Sequence, residues 1–103
     1  THSAEYVTKK GKAYVFDSVE CLVNDIQKEN NEDQLEIMLV ADYANPGDLT
    51  NAKTATYLIS KNIKSPMGAN LSAFSSQETA KKFQKENGSN LFSWIQLKEE
   101  FSK

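Results

Sequence analysis

The chain contains no arginine. All twelve of its basic residues are lysines, acidic residues are interspersed among them, and the formal net charge is -2. Without guanidinium forks there is no bidentate phosphate-reading surface, so nucleic acid is a poor candidate partner. A single cysteine, Cys21, excludes an internal disulfide and any metal cage built from thiolates alone. The only histidine, His2, stands almost at the first residue, where chain ends fray. A Ser-His-Asp or Cys-His nucleophile pair would have to recruit that terminal residue, and a structural zinc site would run short of ligands. No apolar run approaches the ~20 residues a membrane-spanning helix needs. Paired carboxylates, a glycine-rich phosphate loop and metal-spaced clusters are missing as well. The sequence therefore shows no catalytic apparatus of its own.

What is there fits a small globular protein. The 103 residues make one ordinary domain, with 39% hydrophobic and 25% charged residues. A chain of this size buries only about 60–70% of the surface it exposes when unfolded, so its core is modest. It opens at Thr1-His2-Ser3 without an initiator methionine and runs almost directly into a strand. It reads as a mature or trimmed fragment of something longer, so the lack of a targeting signal carries no weight.

The first half has a clear grammar. Ala4–Thr8 and Lys12–Phe16 read as strands joined by Lys9-Lys10-Gly11, where Gly11 supplies the positive φ of a short hairpin loop. Asp17 is expected to open a helix, with Glu20 reaching back in a capping box. Val19, Leu22, Val23 and Ile26 form its buried face. Glu29–Gln34 reads as a polar loop and Leu35–Ala41 as a strand. Asp42–Lys53, with the turn signature Asn45-Pro46-Gly47-Asp48, connects the halves.

The same grammar then returns. Ala55–Ser60 is a strand, Asn62–Asn70 is irregular, and Leu71–Phe74 is a short strand. Ser75 and Glu78 suggest a second helix start, Ala80 and Phe83 face inward, and Gly88 ends that helix. Asn90–Phe92 is a short strand, and Ser93 with Gln96 caps a last helix bearing Trp94, Leu97 and Phe101 on one face. Phe16, Ser18 and Glu20 recur 58 positions later as Phe74, Ser76 and Glu78, and Gln27–Asn30 recurs 57 positions later as Gln84–Asn87. The expected fold is α+β: two repeated ββαβ units with a C-terminal helix. Repeat 1 covers about 4–42, a linker about 43–54, repeat 2 about 55–93 and the helix about 94–102. The alternative is an α+β sandwich whose halves merely look alike.

Three residues stand out as candidate metal ligands. Met67 offers a thioether, a soft ligand neutral at every pH, between Pro66 and Gly68. Methionine equally fills gaps in cores. Cys21 lies nearly opposite the apolar stripe of its helix, beside Asp17 and Asn24, as a ligating or redox thiol or as a residue some other segment covers. His2 offers an imidazole or is an ordinary terminal residue. Asp42 with Tyr43 either lines a site or simply ends a strand. The lysine runs at 9–12 and 81–82 read as a solvated hairpin tip and helix face.

Read in order, these segments resemble the NosL family. Lys12-Ala13-Tyr14-Val15-Phe16-Asp17-Ser18-Val19-Glu20-Cys21-Leu22 is similar to its aromatic strand running into a cysteine-bearing helix. Val40-Ala41-Asp42-Tyr43 resembles its strand ending in Asp-Tyr. Ser65-Pro66-Met67-Gly68, followed by Leu71-Ser72-Ala73-Phe74, resembles its Pro-Met-Gly and Ala-Phe signature. The resemblance implies two ββαβ units and a copper-handling accessory protein that passes Cu(I) to nitrous oxide reductase or a similar enzyme. It implies an apo copper enzyme or copper-transfer partner, and a lipid anchor upstream that holds the protein at the periplasmic or outer face of the membrane. Met67 and Cys21 correspond to the family's loop methionine and helix cysteine. The family's upstream Cys/Met-rich motif precedes the point where this sequence starts, and His2 would complete that site. A scaffold module binding a partner without metal is the alternative, because a domain of organomercurial lyase shares this fold type.

Overall fold

The computed structural model describes residues 3–45, 47–59, 71–87 and 90–102. The first half is a hairpin, a helix and a returning strand: β1 (Ala4–Thr8), β2 (Ala13–Phe16), α1 (Val19–Glu29) and β3 (Leu35–Ala41). A short β4 (Leu49–Asn51) follows. The second half runs β5 (Thr56–Ile59), β6 (Leu71–Phe74), α2 (Gln77–Asn87) and β7 (Asn90–Phe92), and α3 (Trp94–Phe101) closes the chain. The two antiparallel sheets have strand orders β2-β1-β3-β4 and β6-β5-β7. In each, the first strand of the half is central, with its hairpin partner on one side and the post-helix strand on the other.

Local chemistry explains the boundaries. Gly11 turns the β1–β2 hairpin with φ +90, a value side chains resist. The α1 cap is Ser18, one residue beyond the expected Asp17: its side chain accepts from the Cys21 N–H at 3.2 Å. Ser76, not Ser75, plays the same part for α2, accepting from the Thr79 N–H at 3.4 Å. The extra residue after each phenylalanine lets the chain leave the sheet before the helix begins. Asn30 ends α1 in the left-handed region, its N–H returning to the Ile26 carbonyl. Glu32–Gln34 is a single 3-10 turn within the segment expected as loop. α3 carries the expected capping box of Ser93 and Gln96. The connection between the halves is more ordered than its turn residues suggest, since β4 pairs with β3 (Leu39 opposite Asn51, Ala41 opposite Leu49). Gly88 and Asn62–Asn70 lie outside the described residues.

One hydrophobic cluster serves both halves. Tyr6, Leu22, Val23, Ile26, Met38 and Val40 from the first half join Tyr57, Leu71, Ala73, Trp94 and Leu97 from the second. Strand alternation sends Leu58 and Phe74 to the opposite face of the second sheet, where they meet Ala80 of α2. With helices on both sides, β6 is buried at every position, Ser72 included. The Tyr57 hydroxyl, buried in this core, donates to the Ala52 carbonyl at 2.6 Å, and burial raises its pKa far above the usual phenol range.

The last helix is fixed to the first half by polar contacts too. The Trp94 indole N–H donates to Glu32 at 3.0 Å, Lys98 pairs with the other Glu32 oxygen at 2.5 Å, and Gln27 donates to the Lys98 carbonyl at 2.8 Å. Burial works against the charge on Glu32, but these donors win and hold its carboxyl below the usual range. Leu97 is fully buried beside them, whereas Ile95 on the same helix is 66% exposed. Leu97→Ala is expected to lower unfolding stability by about 3 kcal/mol, and Ile95→Ala by no more than about 0.5 kcal/mol. Urea denaturation of the two variants measures both.

Candidate functional site

Of the three candidate ligands, Cys21 falls among the described residues, while His2 and Met67 lie outside them. Cys21 sits in the first turn of α1 and is partly buried, with a free thiol. Its position follows from the sequence step by step. Phe16 is packed into the core, Asp17 leaves the sheet, and Ser18, itself 1% exposed, caps the helix by binding the Cys21 backbone. The cysteine backbone is thereby fixed to a buried anchor. The neighbouring Glu20 is buried as well. A carboxylate in the first helical turn is favoured by the helix's free N–H groups. The sequence presented Glu20 as the reaching-back half of a capping box with Asp17. With Ser18 as the cap, Cys21 takes that third helical position instead, and nothing in local spacing marked Glu20 for burial.

The same end of the first sheet gathers three chain segments. The Ser3 N–H donates to the Phe16 carbonyl at 3.0 Å, and the Ala41 N–H donates to the Ser3 carbonyl at 2.7 Å. The start of β1, the run from β2 into α1 and the exit of β3 therefore meet there. Asp42 follows at once, 4% exposed. Its carboxylate accepts from the Ser75 hydroxyl at 2.5 Å, the Asn45 side chain at 2.8 Å and the Ala44 N–H at 3.1 Å. The next residue, Tyr43, donates its N–H to the Ala73 carbonyl at 2.8 Å, and its ring packs on Phe74 and Phe83.

Asp42 and Tyr43 thus join the end of β3 to β6. Asp42 has its accepting capacity taken up by the protein itself, so its role is to hold the two sheets in register. Sequence reasoning saw the pair but missed the partner, because Ser75 reads locally as a helix cap. Among the described residues no three His, Cys, Asp or Glu side chains stand close enough to hold a metal ion.

Residues 2–102 match the family model described as NosL. No curated protein matches the chain. Among solved structures, the crystal structure of the copper chaperone NosL from Shewanella denitrificans is similar, with a TM-score of 0.76 and 22% sequence identity over 88% of this chain and 74% of that one. Identity at that level speaks for the fold.

The Asp42 bracket has a titration consequence. Burial alone would raise its pKa, but hydrogen bonds from Ser75, Asn45 and the Ala44 backbone outweigh that and hold it below the usual carboxylate range. A carboxyl depressed on folding contributes stability above its unfolded pKa of about 3.9 and loses that contribution as pH falls through the folded value. Asp42→Asn is expected to cost about 1–3 kcal/mol near neutrality. Its stability should then decline less steeply than the parent's below about pH 4. Urea midpoints for both proteins across the acid range test this, and the shared depression of Glu32 cancels in the difference.

Proposed function

The chain belongs to the NosL family, and from that premise we propose that it handles copper, carrying Cu(I) to an apo copper enzyme. Nitrous oxide reductase is the client the family suggests. The observation that carries this reading is the family match across residues 2–102, and the likeness in fold to a protein described as a copper chaperone supports it. The proposed ligands are the Cys21 thiolate and the Met67 thioether, with the His2 imidazole completing the set. Soft sulfur donors favour Cu(I) over harder and more abundant cations. Two or three such donors make a low-coordinate site, from which a partner can remove the ion by exchanging one ligand at a time. The oxidation state does not change and no substrate bond is made or broken, so the function is transfer. Its setting in this reading is the outer face of the cytoplasmic membrane, with the protein held there by a lipid anchor. No helix among the described residues is long and apolar enough to cross a membrane.

We also infer that the halves are copies of one ββαβ unit. Support comes from the equivalent strand orders and from caps at matching positions, Ser18 and Ser76. In this reading Cys21 and Thr79 are counterparts, since each donates its N–H to its own cap. Only the first copy then carries a thiol, and copper handling would have arisen by making the copies unequal.

Anaerobic Cu(I) titration against a chromophoric chelator tests the copper reading. Cys21→Ala and Met67→Leu are each expected to weaken binding by at least about tenfold, equivalent to ~1.4 kcal/mol. Copper should also protect Cys21 from alkylation by iodoacetamide. Parental affinity in the double variant would remove these two ligands from the proposal. Failure of the parent chain to compete for Cu(I) at all would remove the function.

A further inference from the structure

The two sheets have four edges, and three of them are short or covered. β4 and β7 are three residues long, and β6 is buried and closed off by the Tyr43 N–H. The edge formed by β2 is different. Its sequence Ala13-Tyr14-Val15-Phe16 is apolar throughout, Val15 is 60% exposed and Tyr14 is 38% exposed. The strand carries no proline and no bulge toward its free side. Thr8 donates to the Lys12 carbonyl, and Tyr6 and Ala4 oppose Tyr14 and Phe16. Ladder alternation therefore turns the N–H and C=O groups of Ala13 and Val15 away from β1, into the open. Lys12 lies over the Tyr14 ring, 5.3 Å from its centroid, at the start of the strand, but the edge beyond it is apolar, and such an edge is a template for another strand.

We propose that β2 pairs antiparallel with β2 of a second copy of this chain, giving one continuous eight-stranded sheet about a two-fold axis. Backbone alternation and symmetry select the register. Ala13 exchanges hydrogen bonds with Val15 of the second copy, and the two Tyr14 rings face each other across the axis as a close cross-strand aromatic pair. Charge agrees with this register. It sets the turn that carries Lys10 and Gly11 alongside Asp17 of the second copy, and symmetry repeats that contact at the other end. Among the described residues, neither Lys10 nor Asp17 has an ion-pair partner.

A four-residue strand pair alone buries well under the ~800 Å² per partner of a standard interface. α1 adds to it. That helix lies against β1 and β2, so the pairing places the two α1 axes two strand spacings apart, ~10 Å, which is helix-packing distance. The dimer is accordingly weak and reversible.

Sedimentation equilibrium of the whole chain, from micromolar to millimolar concentration, tests the proposal. The parent should show a monomer–dimer equilibrium. Val15→Pro deletes an outward N–H without touching the β1 ladder, a change edge strands admit, and should leave a folded monomer at every concentration. Should that variant lose its fold, the charge variants decide. Asp17→Lys should weaken the dimer about fivefold, and adding Lys10→Asp should restore it. A parent that stays monomeric throughout overturns the proposal, and so does a dimer insensitive to these changes. A partner protein's strand bound at β2, with no self-association, also overturns it.

Discussion

Leu22 and Val23 of α1 share their core with Tyr57 of β5 and Trp94 and Leu97 of α3. Everything else in the molecule depends on this exchange of apolar surface between the halves. A three- or four-stranded sheet with a single short helix has too little interior to be stable alone, because small units leave too much of their surface in water. Here the second sheet lends its inner face to the first, and α3 closes the gap between them. The polar cluster of Glu32, Lys98 and Trp94 then sits at the edge of that core and fixes the angle at which α3 arrives. Its contribution is orientation more than energy, since partly exposed ion pairs stabilise by only about 0–1 kcal/mol.

The Asp42–Ser75 contact belongs to the same logic. Two sheets that meet through side chains alone could slide, because apolar contact is not directional. A buried carboxylate with three donors drawn from both halves is directional, and it places β3 beside β6 in one register. The first turn of α1, which carries Cys21, belongs to the same end of the first sheet. The cysteine therefore rests on a framework fixed on one side by the Ser18 cap and on the other by this bracket.

Much of this could be read in the residues beforehand, for physical reasons that can be named. Strands β1, β2 and β3 announced themselves by β-branched and aromatic runs bounded by polar turns, and the apolar stripe of α1 was set by helical spacing alone. The caps were visible, but two were assigned one residue early, because Asp17 and Ser75 have the same capping chemistry as Ser18 and Ser76. Choosing between them requires knowing where the chain leaves the sheet. With Ser18 and Ser76 as caps, the third helical positions are Cys21 and Thr79, so among the described residues only Ser93 with Gln96 makes the full box. β4 was hidden by the turn residues before it and by its own length, since three residues show no period. Glu20 and Asp42 were legible as acids and illegible as buried ones: their environments are assembled by segments far away in sequence. The family resemblance came from motifs spread in order along the chain, so it survived these local errors.

Ile59 and Leu71 oppose each other as a cross-strand pair at the end of the β5–β6 ladder. The ends of the segment between them, which includes Met67, are thus brought together by the sheet itself. Loop closure, ordinarily an entropic cost set by length, is already met there, and doubling such a segment adds only about 0.6 kcal/mol. A stretch anchored in this way can change length and composition while the rest of the fold stays as it is. For a lineage, that makes it a place where new binding chemistry can be tried at little risk to folding.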